Sequence, residues 1–271
     1  MKVLLSWLRE FAPIDGDPQE LADHLSDLGM AVEEMRLLDP LDGVVVAKVV
    51  DLRRHPEADR IQLVDVEIDD EQLQVCCGAF NMAIGDLIPF ATIGTVMPNG
   101  MEISQRTMRG EISNGMCCSA SELGLGSDRD GIMILPNDLH LGAPLMDQLG
   151  LEGDVLWDLE INPNRPDAMS VAGVARDLAA RLGLPFAIPK WATAQTDDSG
   201  NELATIQIQD GSLCPRFCAR VIRGVTVGDS PLWMQMRLTL LGMRPVNSVV
   251  DVSNYVMLEL GTPNHTYDLS L

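Results

Sequence analysis

His265 stands in the stretch GTPNHTYDLSL, residues 261–271, just after Gly261-Thr262-Pro263 and shortly before Asp268. A turn of that composition, following a helix, holds the next imidazole at a fixed point. Imidazole changes protonation near neutral pH, so His265 is a candidate for proton transfer or for orienting a water. On composition alone, a structural histidine satisfied within its own turn is the plainer reading. Ser253 and Asn254 open the stretch SNYVMLELG. Ahead of a short helix, backbone N–H groups with small hydroxyl and amide side chains make a site for an anion or an ester. A Ser–His pair also suggests nucleophilic catalysis, but no Gly-x-Ser-x-Gly elbow accompanies it.

Two further constellations carry charge. Between residues 41 and 150 basic side chains collect at Arg53, Arg54 and Arg60 and at Arg106 and Arg109, which makes them candidates for contact with nucleic acid phosphates. That block holds seven basic against seventeen acidic residues, and its only aromatics are Phe80 and Phe90. A platform for stacking bases is therefore nearly absent, and a structural or docking role outweighs direct RNA binding. In NPNRPDAMSVAGVARD, Arg165 and Asp167 are placed to pair at a helix start, with Asn162 and Asn164 closing the turn; capping and locking are the expected roles. The six cysteines, Cys76-Cys77, Cys117-Cys118, Cys214 and Cys218, lack the Cys-x-x-Cys spacing of zinc knuckles. They read as reduced thiols acting as small hydrophobes, and no metal site is expected.

The elements that must position these residues follow a clear grammar. DPQELADHLSDLG predicts a helix with Asp17 as cap, Pro18 in the first turn, a Leu21, Leu25 and Leu28 stripe, and Gly29 as stop. AVEEMRLL then predicts a strand. From Gly43 onward GVVVAKVVDLRRH, IQLVDVEID, LQVCCGA, DLIPFATIG and GIMILP predict five strands, with SASELGLG as a helical insert. That pattern fits a small OB-type barrel. RPDAMSVAGVARDLAARLG returns to helical spacing and ends on Gly183. Further on, TIQIQD, RFCARVIRGVTV and NSVVDV predict strands, while SPLWMQMRLTLLG, capped by Ser230, and SNYVMLELG predict helices.

The expected fold class is therefore α+β and multidomain. Residues 1–40 and 151–192 form the two parts of a small discontinuous α/β domain, and 41–150 form an OB-type β-barrel inserted in it. Residues 193–202 form a linker, and 203–271 begin an α/β domain that is incomplete in this sequence. The formal net charge is −21, yet residues 203–271 hold five basic and five acidic side chains, so this block resists a polyanion least. No stretch approaches about 18 uninterrupted apolar residues, and the N-terminal MKVLLSWLREF lacks the pattern of a signal peptide. The expected compartment is cytoplasmic, with no membrane partner.

Six separated segments, in register, resemble the beta chain of bacterial phenylalanyl-tRNA synthetase. They are SWLREF at 6–11, GVVVAKVVDLRRHPEADRIQLVDV at 43–66, VCCGAFNM at 75–82, RGEISNGMCCSASELGL at 109–125, INPNRPDAMSVAGVARDLAA at 161–180 and DVSNYVMLELGTPNHTYDL at 251–269. The resemblance implies a tRNA-binding-type OB domain in the barrel region. It also implies that residues from about 203 begin a B3/B4-type editing domain, which removes tyrosine wrongly attached to the phenylalanine tRNA. His265 falls at the family's editing histidine, with Ser253 and Asn254 as polar walls of the same pocket. The family usually shows threonine at Ser253 and alanine at Thr266, so the fit of the pocket differs here even where its chemistry is kept.

The resemblance further implies an alpha-subunit partner in an alpha2-beta2 heterotetramer, the phenylalanine tRNA as substrate, and ATP with Mg2+ held mainly by the alpha subunit rather than by this segment. On this reading the pocket around His265 is completed by sequence beyond residue 271. The alternative from another class is a free-standing OB module that binds RNA or a protein. Such a module has no need of the NPNRPD helix or of residues 203–271. A purely architectural protein is the third reading, and it leaves His265 and Ser253 without a polar cleft.

Overall fold

The computed structural model describes residues 1–38, 40–126, 129, 131–190 and 200–271. Its elements in chain order are β1 (Lys2–Leu4), α1 (Leu5–Arg9), α2 (Pro18–Asp27), β2 (Met30–Leu37), β3 (Val44–Arg54), β4 (Gln62–Ile68), β5 (Glu71–Cys77), β6 (Leu87–Ala91), β7 (Arg106–Met108), β8 (Glu111–Ser113) and β9 (Met116–Cys117). There follow α3 (Leu145–Gln148), β10 (Val155–Ile161), a 3-10 turn at Pro166–Ala168, α4 (Val171–Leu182), α5 (Gly200–Leu203), α6 (Leu232–Leu240) and α7 (Ser248–Leu260).

The first sheet joins strands far apart in sequence, in the order β1-β10-β2, with both pairs antiparallel. Helix α2 packs on β2 and α1 on β1 and β10, and α4 packs in turn against α1 and α2. Asp17 accepts from the N–H groups of Gln19 and Glu20, and this starts α2 so that Leu21, Ala22 and Leu25 are buried. Ser170 Oγ accepts from Gly173 N to start α4, and Gly183 ends it in the left-handed conformation at φ 68°. The start of α4 packs so close to the 3-10 turn that a Cβ on Gly173 would lie 1.9 Å from the carbonyl oxygen of Asp167, which admits only glycine. Leu4, Leu8, Leu25 and Leu178 are fully buried, each contributing about 1.5–3 kcal/mol relative to exposure.

The second sheet has the order β5-β4-β3-β6-β9, again antiparallel throughout. Ala47, Val49, Val64, Val66, Val75, Ile88 and Phe90 fill its concave face. The pairing of β3 with β4 shifts between Val49 and Asp51, and such a bulge increases the local bend. The edges are drawn together where Asn114 N donates to Gln74 O at 2.9 Å and Cys76 N donates to Ser113 Oγ at 3.1 Å. The result is a curled sheet in a mixed α/β molecule.

Several sequence expectations need correction. GIMILP forms no strand; only Leu135 bridges to Leu87, because the neighbouring edge of β6 is taken by β9. SASELGLG is a series of turns, started by Ser119 and Glu122 bonding each other and anchored by buried Leu123 and Leu125. TIQIQD and RFCARVIRGVTV are not strands: among the described residues no strand lies beside them, and Ile206, Ile222 and Val227 are exposed. NSVVDV is the start of α7 and not a strand, since Asn247 accepts from the N–H groups of Val249 and Val250 at 3.1 Å. Ser230 does not cap α6: its hydroxyl donates to Asp251 instead, and Pro231 precedes the first turn. The stretch 193–199 of the expected linker lies outside the described residues.

Candidate functional site

Helix α7 sets the geometry around His265. It runs from its Asn247 cap to Gly261, which closes it at φ 72°. Ser253 and Asn254 therefore lie inside this helix, half-buried, and not in a turn ahead of it. Their backbone N–H groups are used within the helix, so they do not form an anion-binding end.

Ser253 has a partner that sequence reading missed. Its Oγ donates to Asn264 O at 3.1 Å, and Asn264 Nδ2 donates back to Ser253 O at 3.1 Å. This reciprocal pair folds the 262–265 segment against α7 and leaves the neighbouring His265 exposed at its tip. Among the described residues His265 makes no hydrogen bond, so its ring is free to meet a ligand or a water. Ser253 has spent its only proton on Asn264 and keeps lone pairs alone, an arrangement suited to accepting from a ligand and not to nucleophilic attack. Asp268 is not the imidazole's orienting acid. Its carboxylate takes the Oγ and N–H of Ser270, and these bonds hold its pKa below the ordinary value.

The arginines of the curled sheet divide into two kinds. Arg53 is spent: its guanidinium bonds Asp51, Asp65 and Gln74, and the carboxylates raise its pKa further above the ordinary value. Arg54, Arg60 and Arg106 are exposed and make no ion pair among the described residues. Arg109 and Gly110 form a tight turn between β7 and β8 with φ 46° and 92°. Arg109 Nη1 donates to Glu57 O at 2.7 Å. His55 Nδ1 accepts from Glu57 N, which leaves Nε2–H to donate to Met108 O at 3.0 Å. These bonds gather the β3–β4 loop and the β7–β8 hairpin into one rim.

Arg165 and Asp167 do pair, within a network that includes Arg176 and Asp177, and Arg165 also donates to Leu28 O. The network ties the end of α2 to the start of α4. A cleft of about 1230 Å³ opens elsewhere, between the first sheet and α6, walled by Lys2, Arg36, Leu125, Ile132, Met236 and Arg244. None of the candidate site residues lines it. All six cysteines are free thiols; among the described residues no group of three or more His, Cys, Asp and Glu side chains is arranged to hold a metal ion.

Two domain families match this sequence. Residues 44–144 match the one described as "Putative tRNA binding domain", and residues 213–271 match the "B3/4 domain". The chain is also similar along its whole length to proteins named "Phenylalanine--tRNA ligase beta subunit". The relative from Nitratidesulfovibrio vulgaris is 45% identical over 273 residues, which is 100% of this chain and 34% of the relative. The relative from Geobacter sulfurreducens is 46% identical over 272 residues, 100% and 34% of the two chains, and that from Syntrophus aciditrophicus 45% over 269 residues, 99% and 33%. The chain is similar to these beta subunits from end to end and spans about a third of their length. A solved structure, the MetRS related protein from Pyrococcus horikoshii, aligns with 38% of this chain and 87% of its own at 13% identity and a TM-score of 0.29, too low to bear on the fold.

Proposed function

We propose that this chain contributes to a phenylalanine–tRNA ligase, which attaches phenylalanine to its tRNA with consumption of ATP. In this reading residues 1–40 and 151–192 make one small domain around an inserted OB-type barrel, 41–150. Residues 193–202 link it to the start of an editing domain, 203–271. The alpha subunit supplies the sites for ATP, Mg2+ and phenylalanine in an alpha2-beta2 assembly, and the compartment is the cytoplasm.

Editing answers a physical limit. A hydrophobic amino-acid pocket cannot strongly reject an analogue that only adds a hydroxyl, so tyrosine attached in error must be removed at a second site. Hydrolysis of the aminoacyl ester needs a positioned water and donors for the developing oxyanion; a covalent nucleophile is not required. His265, exposed and without a hydrogen-bond partner among the described residues, orients that water or the tRNA terminus in this reading. Ser253 offers acceptor lone pairs and Asn254 a polar wall. Identity of about 45% over an alignment that spans the whole chain is the observation that carries this reading.

The test uses an assembled enzyme that carries this sequence. His265→Ala is expected to slow deacylation of tyrosyl-tRNA by about 10²–10⁴-fold and to leave phenylalanine attachment nearly unchanged. Equal deacylation rates for wild type and variant would return His265 to the structural role.

A further inference from the structure

Helix α7 docks through an unusual stripe. Its buried side chains, Asp251, Tyr255 and Glu259, all carry polar atoms and stand at successive i, i+4 positions on one face. Asp251 accepts from Ser230 Oγ and from Val246 N, the latter at 2.8 Å. Tyr255 stacks on Trp7 with ring centroids 4.5 Å apart, meets the edge of Trp233 at 5.4 Å, and accepts from Arg237 Nη1 at 2.7 Å. Glu259 Oε1 accepts from Trp7 Nε1 at 3.4 Å.

Arg237 closes the cage. Its guanidinium carbon lies 5.1 Å from the Trp7 ring centre and 5.6 Å from that of Trp233, and it forms an ion pair with Glu10. Burial alone would lower its pKa; bonds to Glu10 and Tyr255 more than offset that and leave it above the ordinary value. Thus α1, through Trp7 and Glu10, grips α6 and α7 across more than two hundred residues of sequence.

An apolar stripe tolerates slippage, whereas directional bonds at one-turn intervals do not. Rotating α7 by one residue would swing the stripe by about 100° and strip every one of these groups of its partner. Ser253 lies two residues from both Asp251 and Tyr255, about 200° around the helix from each, so it faces away from the cage. The same rotation would carry Ser253 and the Asn264 turn with it. We propose that Arg237 is a positioning residue, which through the Trp7–Tyr255–Glu259 cage sets the rotational angle at which α7 presents Ser253 and His265. The proposal rests on the ester-hydrolysis reading given above.

Two measurements test it. In the 271-residue chain Arg237→Met, similar in length but without charge or donors, is expected to lower the near-ultraviolet circular dichroism of the Trp–Tyr stack. In an assembled enzyme carrying this sequence it is expected to lower kcat for tyrosyl-tRNA deacylation by about 10–100-fold with KM within about twofold, and to leave phenylalanine attachment unchanged. Arg237→Lys, which keeps the charge, should recover part of the loss. Glu10→Gln, on the half-exposed rim, provides a variant that keeps the stack should Arg237→Met fail to fold; a smaller kcat loss is expected. Slowing by both Arg237→Met and His265→Ala supports the proposal. Slowing by His265→Ala alone, or a rise in KM at unchanged kcat for Arg237→Met, overturns the positioning role and leaves the reading intact. Slowing by neither overturns the reading and the role with it.

Discussion

Asp167 shows how much one exposed side chain takes on from its neighbours. Hydrogen bonding by Arg165, followed by the charge of that guanidinium and a bond from Arg176, holds its pKa down at about 2, against an ordinary value of 3.8. A carboxylate with a depressed folded-state pKa stabilises the native state above its unfolded value. That contribution is lost as pH falls through the folded value. The turn at 165–168 should therefore hold down to about pH 4 and loosen between about pH 4 and pH 2. The carboxyl carbon of Asp167, followed by NMR, should titrate near 2, and Asp167→Asn should remove this part of the acid response. A midpoint close to 3.8 would mean that the crowded arginines do not hold their places in solution. The pairing of Arg165 with Asp167 was legible because the two stand side by side in a turn-forming stretch. Asp177 was not, since it is brought in only by the first turns of α4. Asn264 was missed as the partner of Ser253 for a related reason: its bonds exist only once the chain has reversed beyond Gly261.

Helix α2 was legible almost end to end, because cap, apolar stripe and terminating glycine all agree. Helix α4 was legible in its stripe and its Gly183 stop, but it begins at Val171 behind the Ser170 cap and not at Arg165, where a 3-10 turn intervenes. Helix α7 was legible only in its second half, where SNYVMLELG predicts a helix and forms one. Its first turns read Ser-Val-Val-Asp-Val, a β-branched run that suggests a strand, and its buried face is polar, so hydrophobic periodicity does not carry the helical signal back to Asn247. What decides for the helix is Asn247, whose carboxamide satisfies two N–H groups of the first turn, together with partners for Asp251, Tyr255 and Glu259 on other elements. Asn247→Ala should cost about 0.5–2 kcal/mol and fray the start of α7. Amide hydrogen exchange would show faster exchange at Val249 and Val250, while the far end near Glu259, held by Trp7, should be little changed. Equal protection at both ends in the variant would show that the cage alone nucleates the helix. Strands misread at 205–227 teach the complementary lesson. Alternating apolar residues mark a capacity for pairing, and a strand forms only where another edge is present.

At the scale of the whole molecule, a net charge of −21 sets the terms on which RNA can approach. Phosphates are repelled by most of this surface, and affinity must come from places where arginines stand without acidic partners. Arg53, bound to Asp51 and Asp65, is not one of them. Among the described residues Arg54, Arg60 and Arg106 are, and the His55 and Arg109 bonds hold their two segments together as one rim. With Phe80 exposed and Phe90 fully buried, stacking adds little, so contact there should be electrostatic and indifferent to base sequence. The chain should bind tRNA only weakly near physiological salt, in the range of about 10⁻⁴–10⁻⁶ M usual for non-specific contacts. Each phosphate contact adds roughly 0.7–0.9 to the slope of log affinity against log salt. Changing Arg54, Arg60 and Arg106 together to glutamine should then flatten that slope by about 2–3, as read from anisotropy of labelled tRNA across a salt series. Arg109 is left in place because it holds the rim together. An unchanged slope with unchanged affinity would move the RNA contact off this rim, and residues 203–271, where the charges balance, would be the next place to look.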